Sequence, residues 1–279
     1  MQGEAHGSAP GTATQACYHH DLQGEESTVK ITQARLRNAH DAYVNPWLRD
    51  KWGHTSNWRR KFAEMILWYA VAGSRRYVRA GRDLNKTADR YVGLVLTGKF
   101  RSVPRSVRTT WRDALKLAVE VCVDRGTNPI EWFTGGCGDL TAGWERLDEV
   151  FGIGPKIASF ILRDLSFLRD YLTAHGRAVP GLRQARERRW FSGLVPADQA
   201  LFLPIDYWVY AGARQSRAST MCARYGDVNE IQASPELHRT AATEIVRWAR
   251  KHGLDPRDVD VYWYGVGVGD LREDGTPAE

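Results

Sequence analysis

Two apolar segments of helical period, Thr141 to Val150 and Pro155 to Leu165, are separated only by Phe151-Gly152-Ile153-Gly154. In the first, Trp144, Leu147 and Val150 recur at three-residue steps. In the second, Ile157, Ala158, Ile161, Leu162 and Leu165 recur at steps of three and four, which is one face of a helix. So short a link turns the second helix back on the first, and its glycines give the backbone the freedom to do so. Pro155 falls where a first helical turn tolerates it.

The same grammar runs along the chain. Phe62, Met65, Ile66 and Tyr69 have helical spacing and stop at Gly73; Asp83 opens a segment that stops at Gly98; a third runs from Pro104 to Gly126. Further on, Tyr207 to Ala213 reads as an aromatic helix. Ser234-Pro235 and Asp255-Pro256 are cap and first-turn pairs for helices reaching about Gly253 and Gly265. No alternating strand pattern and no internal repeat is present, so the expected class is all-α.

Charge divides the chain of 279 residues. Residues 1–27 hold Glu4, Asp21, Glu25 and Glu26 with no Lys or Arg, lack apolar periodicity and read as a disordered leader. Residues 270–279 read as an acidic tail. All but one of the 39 Lys and Arg therefore fall in 28–269, the expected folded domain, a balance that favours a polyanionic partner. From Ser56 to Lys116 there are fifteen basic and four acidic residues, and 170–200 crowds Arg183, Arg186, Arg188 and Arg189 among Gly and Pro as a basic insertion.

No uncharged apolar run approaches the ~18 residues of a membrane span, and the first residues lack a secretory pattern, so no membrane partner and a cytoplasmic location are expected. Cys17, Cys122, Cys137 and Cys222 lie apart, which argues against zinc or an iron-sulfur cluster, and no metal site is expected. HExxH, GxSxG and Walker A patterns are absent, and Asp258-Val259-Asp260 would point its carboxylates apart on a helix.

Residues 147 to 165, Leu-Asp-Glu-Val-Phe-Gly-Ile-Gly-Pro-Lys-Ile-Ala-Ser-Phe-Ile-Leu-Arg-Asp-Leu, resemble the helix-hairpin-helix DNA-binding motif (hairpin 141–170), with Gly152, Ile153, Gly154 and Lys156 as its DNA-contacting positions. Leu203-Pro204-Ile205-Asp206-Tyr207-Trp208-Val209 is similar to the segment that follows that hairpin in the helix-hairpin-helix DNA glycosylases. The resemblance implies a two-lobed helical bundle with the hairpin at its cleft. It also implies a base-excision repair activity in which a damaged or modified base of double-stranded DNA is flipped out and excised. Lys156 matches the position of the Schiff-base lysine of the bifunctional members, which adds AP-lyase activity, and Asp206 matches their essential aspartate.

The residue types suit that chemistry. A desolvated carboxylate stabilises the positive charge that develops on deoxyribose, and an amine attacks C1′ once it has lost its proton. Trp68, Tyr69, Trp208 and Trp263 are candidate walls of the base pocket. Phe151 stands where the family usually has Pro, and Lys156 and Asp206 are 50 positions apart, longer than usual, so 170–200 must loop out if both face one cleft. The absence of a four-cysteine cluster loop points to the cluster-free branches, such as the 8-oxoguanine enzymes. No cofactor is required, a monovalent cation fits the hairpin carbonyls, and a monomer is expected. Two alternatives stay open at this point. One is a non-catalytic hairpin DNA-binding protein, with Asp206 merely a helix cap; the other is a monofunctional glycosylase using only the Asp.

Overall fold

The computed structural model describes residues 31–52, 112–119, 140–150, 152–174 and 190–278, with scattered positions between 65 and 105. Among them the structure is helical apart from one isolated antiparallel bridge, Leu271 to Pro277, so the all-α expectation holds. The helices are α1 (Gln33–Ala39), a π turn (His40–Val44), α2 (Asn45–Trp52), α3 (Arg112–Val119), α4 (Leu140–Asp148) and α5 (Pro155–Ala174). Next come two short helices, α6 (Trp190–Gly193) and α7 (Pro196–Gln199), and a 3-10 turn (Ala200–Phe202). The chain then forms α8 (Tyr207–Gln215), α9 (Thr220–Arg224), α10 (Val228–Gln232), α11 (Pro235–Lys251) and α12 (Pro256–Gly267).

The caps read from sequence are made. Ser234 Oγ accepts from Leu237 N–H at 3.2 Å and Asp255 Oδ1 from Arg257 N–H at 2.9 Å, each relieving an N–H of the first turn that has no helical carbonyl. Gly253, at φ 69°, ends α11. The main core joins α1, α8, α10, α11 and α12 through Leu36, Val209, Ala213, Ile231, Ile245, Val246, Val259 and Trp263. α8 and α12 lock reciprocally. Trp263 of α12 lies on Gly212 of α8 and Trp208 of α8 on Gly267 of α12, where a Cβ would stand 2.5 and 2.4 Å from the ring carbons.

α5 is buried nearly all round, so its polar residues are paired rather than solvated. Arg257 of α12 donates to Asp170 Oδ2 at 2.8 Å and to Ser166 Oγ at 3.0 Å, while its Nη2 holds Asp255 Oδ2 at 2.8 Å. Its guanidinium also lies over the rings of Phe191 and Phe167, at 4.0 and 4.9 Å. Taking one partner from a buried ion pair costs about 3–5 kcal/mol, so this group holds α12 firmly on α5.

Three sequence expectations change. Residues 33–52 form helix, which the periodicity from Asn57 onward did not anticipate. Residues 190–200 of the supposed insertion 170–200 are anchored: Phe191 and Gln199 are buried, and Gln199 Nε2 donates to Phe191 O at 2.7 Å. The segment expected as an acidic tail is folded, because Leu271 is buried and its neighbours bond to earlier elements. Tyr43 Oη donates to Asp270 Oδ2 at 2.6 Å, Tyr262 Oη to Glu273 O at 2.6 Å and Asn38 Nδ2 to Asp274 O at 3.0 Å. The leader 1–27, most of the basic stretch 56–116, and residues 175–189 with Arg183, Arg186, Arg188 and Arg189 lie outside the described residues.

Candidate active site

α4 and α5 pack on each other across the Gly152-Ile153-Gly154 turn. Buried Trp144 clamps them, its Nε1 donating to Ser159 Oγ at 2.9 Å. Gly152 has φ 91°, a left-handed value that disfavours any side chain. Gly154 has ordinary φ, and a Cβ there would meet nothing within 4 Å, so its surface is open to a ligand. Ile153 differs from the sequence expectation. Its side chain is buried and its N–H donates to Val150 O at 2.8 Å, so it anchors the turn and has no N–H left for a phosphate. The first turn of α5, with the N–H of Ile157, retains the donor and dipole character of a helix start.

Asp206 is the N-cap of α8, with Oδ1 accepting from Val209 N–H at 2.8 Å, and is only 8% exposed. The segment before it is pinned on both sides: Ile205 N–H donates to His238 Nε2 at 3.1 Å, and Gln232 Nε2 donates to Ile205 O at 2.9 Å. Accepting at Nε2 puts the proton of the imidazole on Nδ1. Burial, with the charge of Lys156 beside it, lowers His238 to about 3, so it is a neutral acceptor.

Lys156, second residue of α5, is half-buried, and its charge acts on both His238 and Asp206. The two residues separated by 50 positions thus share one electrostatic neighbourhood. Burial raises Asp206 above the usual carboxylate range; the Val209 N–H, Lys156, the Trp208 N–H and Arg163 pull against that rise without cancelling it. Chemically, the arrangement offers a desolvated carboxylate that feels the charge of a lysine, beside a helix start.

The aromatic candidates separate. Trp68 lies outside the described residues. Tyr69 hydrogen-bonds to the Asp164 carboxylate and stacks on Phe160 at 6.0 Å, so it supports α5. Trp263, 7% exposed and stacked on Trp248 at 5.9 Å, belongs to the core. Trp208 is partly exposed and meets Tyr207 edge-on at 4.9 Å.

Tyr207, which the sequence reading did not single out, is 54% exposed one residue from Asp206. Also missed were His238, Arg163 and Asp260. His238 gives no sequence signal beyond a polar residue on an apolar helical stripe, and Asp260 was set aside because Asp258-Val259-Asp260 points its carboxylates apart on a helix.

A groove of about 710 Å³ runs between α4 and α11, with Glu145, Asp148, Glu149, Glu236 and Glu244 set against Arg239 and Arg247. Its excess of carboxylates repels a phosphate backbone. Among the described residues no group of His, Cys, Asp and Glu stands together as a metal cage, and no helix is long and apolar enough to cross a membrane. No family model, curated protein or solved structure matches the chain.

Proposed function

We propose that this chain is a DNA glycosylase of the helix-hairpin-helix kind, in which α4 and α5 form the hairpin at the cleft of a two-lobed bundle and grip double-stranded DNA through backbone phosphates. The observation that carries the reading is that the charge of Lys156, at the start of α5, reaches the carboxyl of Asp206, at the start of α8, despite their separation in sequence. A carboxylate used only as a cap has no need of a lysine in range. The open surface at Gly154 and the basic excess of residues 28–269 support a nucleic-acid partner.

In this reading a damaged or modified base leaves the stack and is received on the exposed side of α8, by Tyr207 and Trp208. As the glycosidic bond breaks, its electron pair leaves with the base, and Asp206 stabilises the positive charge left on the sugar. The Lys156 amine, once deprotonated, adds to C1′. Ring opening at O4′ with loss of a proton from the nitrogen then gives the imine from which strand cleavage proceeds. Asp206 caps α8 through Oδ1, which leaves its charge and its second oxygen for an electrostatic or general-base part.

The test is single-turnover base release from duplexes carrying oxidised, alkylated, deaminated or hypermodified bases. The wild type is expected to release one class of base, and Asp206→Asn to lose that release while keeping duplex affinity. Release with neither nicking nor dependence on Lys156 would assign the attack to water. Absence of release from every duplex, or full release by both Lys156→Gln and Asp206→Asn, would overturn the proposal.

A further inference from the structure

Trp208 of α8 lies on Gly267 of α12, and Gly212 of α8 lies under Trp263, so the two helices run antiparallel and the start of α8, with Asp206, stands at the end of α12. There the chain turns back through Gly269, at φ 83°, and the Asp270 N–H donates to Gly265 O at 2.9 Å. The turn brings Asp270, which is exposed, to Tyr43 of the π turn, whose Oη donates to Asp270 Oδ2 at 2.6 Å. The ring of Tyr43 in turn meets Tyr264 of α12 edge-on at 6.2 Å.

Tyr264 is thus partly exposed beside two carboxyl groups of different surroundings. Burial first, then the charges of Asp206 and Asp270, push its hydroxyl above the ordinary tyrosine value, so it keeps its proton. That hydroxyl makes no hydrogen bond among the described residues. Tyr43 stays a donor too, raised by burial and then by its bond to Asp270. The deeper carboxyls are taken: Arg163 Nη1 donates to Asp260 Oδ2 at 2.5 Å, and its Nε and Nη2 donate to Asp164 Oδ1 at 3.0 and 2.8 Å. Asp270 is differently placed. An ionised carboxylate has about four lone-pair sites, of which Tyr43 uses one, and its exposure opens the rest to a ligand.

We propose that Asp270 is a specificity-determining residue: held by Tyr43, it accepts two adjacent N–H groups from the edge of the flipped base, while the Tyr264 hydroxyl donates to a carbonyl beside them. The assignment rests on the excision reading given above, in which Asp206 serves the sugar and Tyr207 and Trp208 receive the face of the base. The substrate class is then a base with a guanine-type edge, N1–H and 2-amino next to a 6-carbonyl, whatever change it carries elsewhere. A carboxylate selects that edge because both its oxygens are acceptors. On an adenine- or cytosine-type edge an N–H is followed by a ring-nitrogen lone pair, which would face the second oxygen and repel it. Hypoxanthine, without the 2-amino group, leaves that oxygen unmatched. A site built to hydrogen-bond a group discriminates against the analogue that lacks it, because its own polar atoms are left unpaired.

The experiment measures binding, by fluorescence anisotropy of the full chain, to duplexes carrying guanine, hypoxanthine or 1-methylguanine. Each base sits opposite the same abasic site, so no pair has to be broken. Each is carried on a 2′-fluorinated sugar, whose electron-withdrawing fluorine disfavours positive charge and blocks release. The wild type is expected to prefer guanine over both analogues by roughly tenfold or more, the worth of a hydrogen bond to a charged group. Asp270→Ala should erase that preference. Tyr264→Phe should keep it while weakening all three complexes several-fold, since each base retains the carbonyl. A wild type with no preference, or a preference that persists in Asp270→Ala, would overturn the proposal. If Asp270→Ala does not fold, Asp270→Asn, which keeps an acceptor for Tyr43 but offers only one to the base, decides in its place. Single-turnover release by the wild type completes the test. Release of no base sinks the excision reading, and the binding preference still reports whether Asp270 reads the edge.

Discussion

Asp206 caps α8 and, in the proposed reading, stabilises charge on the sugar, and a pair of substitutions separates the two roles. As N-cap it accepts the Val209 N–H at 2.8 Å, and Asn presents the same oxygen with the same capping rank, so Asp206→Asn should change stability by no more than about 0.5 kcal/mol through the cap. Asp206→Ala removes the acceptor and should cost about 1 kcal/mol, within a range of roughly 0.5–2. The chemistry sorts differently. Both variants lack the negative charge, and loss of one preorganised electrostatic group lowers a rate by roughly 10²–10³, about 2.7–4 kcal/mol, so both should lose base release alike.

A pH series adds a second handle. Because burial raises the folded pKa of Asp206 above its unfolded value, stability from this group is full below the unfolded pKa and is lost as pH rises through the folded one. The wild type should therefore weaken relative to Asp206→Asn as pH climbs out of the acid range. Urea unfolding and single-turnover excision on the same preparations measure both effects. Excision that tracks stability, intact in Asn and impaired only in Ala, would refute the catalytic role and leave Asp206 a cap.

Gly154→Ala places its methyl in open space, so it should shift stability by less than about 1 kcal/mol while cutting duplex affinity sharply; Gly152→Ala, forced to φ 91°, should cost about 1–2 kcal/mol in unfolding free energy. Retained affinity in Gly154→Ala, measured by fluorescence anisotropy, would remove the hairpin from the interface. Gly267→Ala drives a Cβ into Trp208 and should destabilise by about 1–3 kcal/mol in urea, with a change in Trp fluorescence. For His40, burial lowers the imidazole pKa, but the 2.7 Å hydrogen bond to Asp258 and its charge raise it further, to a net value above 6.5. Its contribution is thus full below the unfolded pKa and lost as pH rises through the folded one. Wild type should exceed His40→Gln by about 1 kcal/mol in acid and converge with it above neutrality, and a constant difference would disprove the linkage.

What the sequence exposed was local. Ser234-Pro235, Asp255-Pro256 and Gly253 mark helix ends because caps act within one turn of chain, and the two stripes flanking Gly152-Ile153-Gly154 predict α4 and α5 for the same reason. The burial of α5 and α12 nearly all round was not legible. Arg163, Asp164, Asp170 and Asp260 look like solvated charges until tertiary packing pairs them, and a helical wheel cannot tell a paired core carboxylate from a surface one. Leu271 had the same fate at the C-terminal end, one apolar residue among acids whose hydrogen-bond partners, Tyr43 and Tyr262, lie elsewhere in the chain. Lys156 and Asp206 were named from their motifs, but the placement of Asp206 depends on Ile205 being held by His238 and Gln232, contacts that no spacing encodes.

The most direct test of the central claim, that Lys156 and Asp206 act on one sugar, is borohydride trapping of the purified chain on duplexes bearing the same range of modified bases, with an abasic-site control. A covalent protein–DNA product formed with one base class by the wild type, absent in Lys156→Gln and strongly reduced in Asp206→Asn, is the predicted result. Equal trapping by wild type and Lys156→Gln, or firm duplex binding with neither trapping nor base release on any duplex, would contradict it.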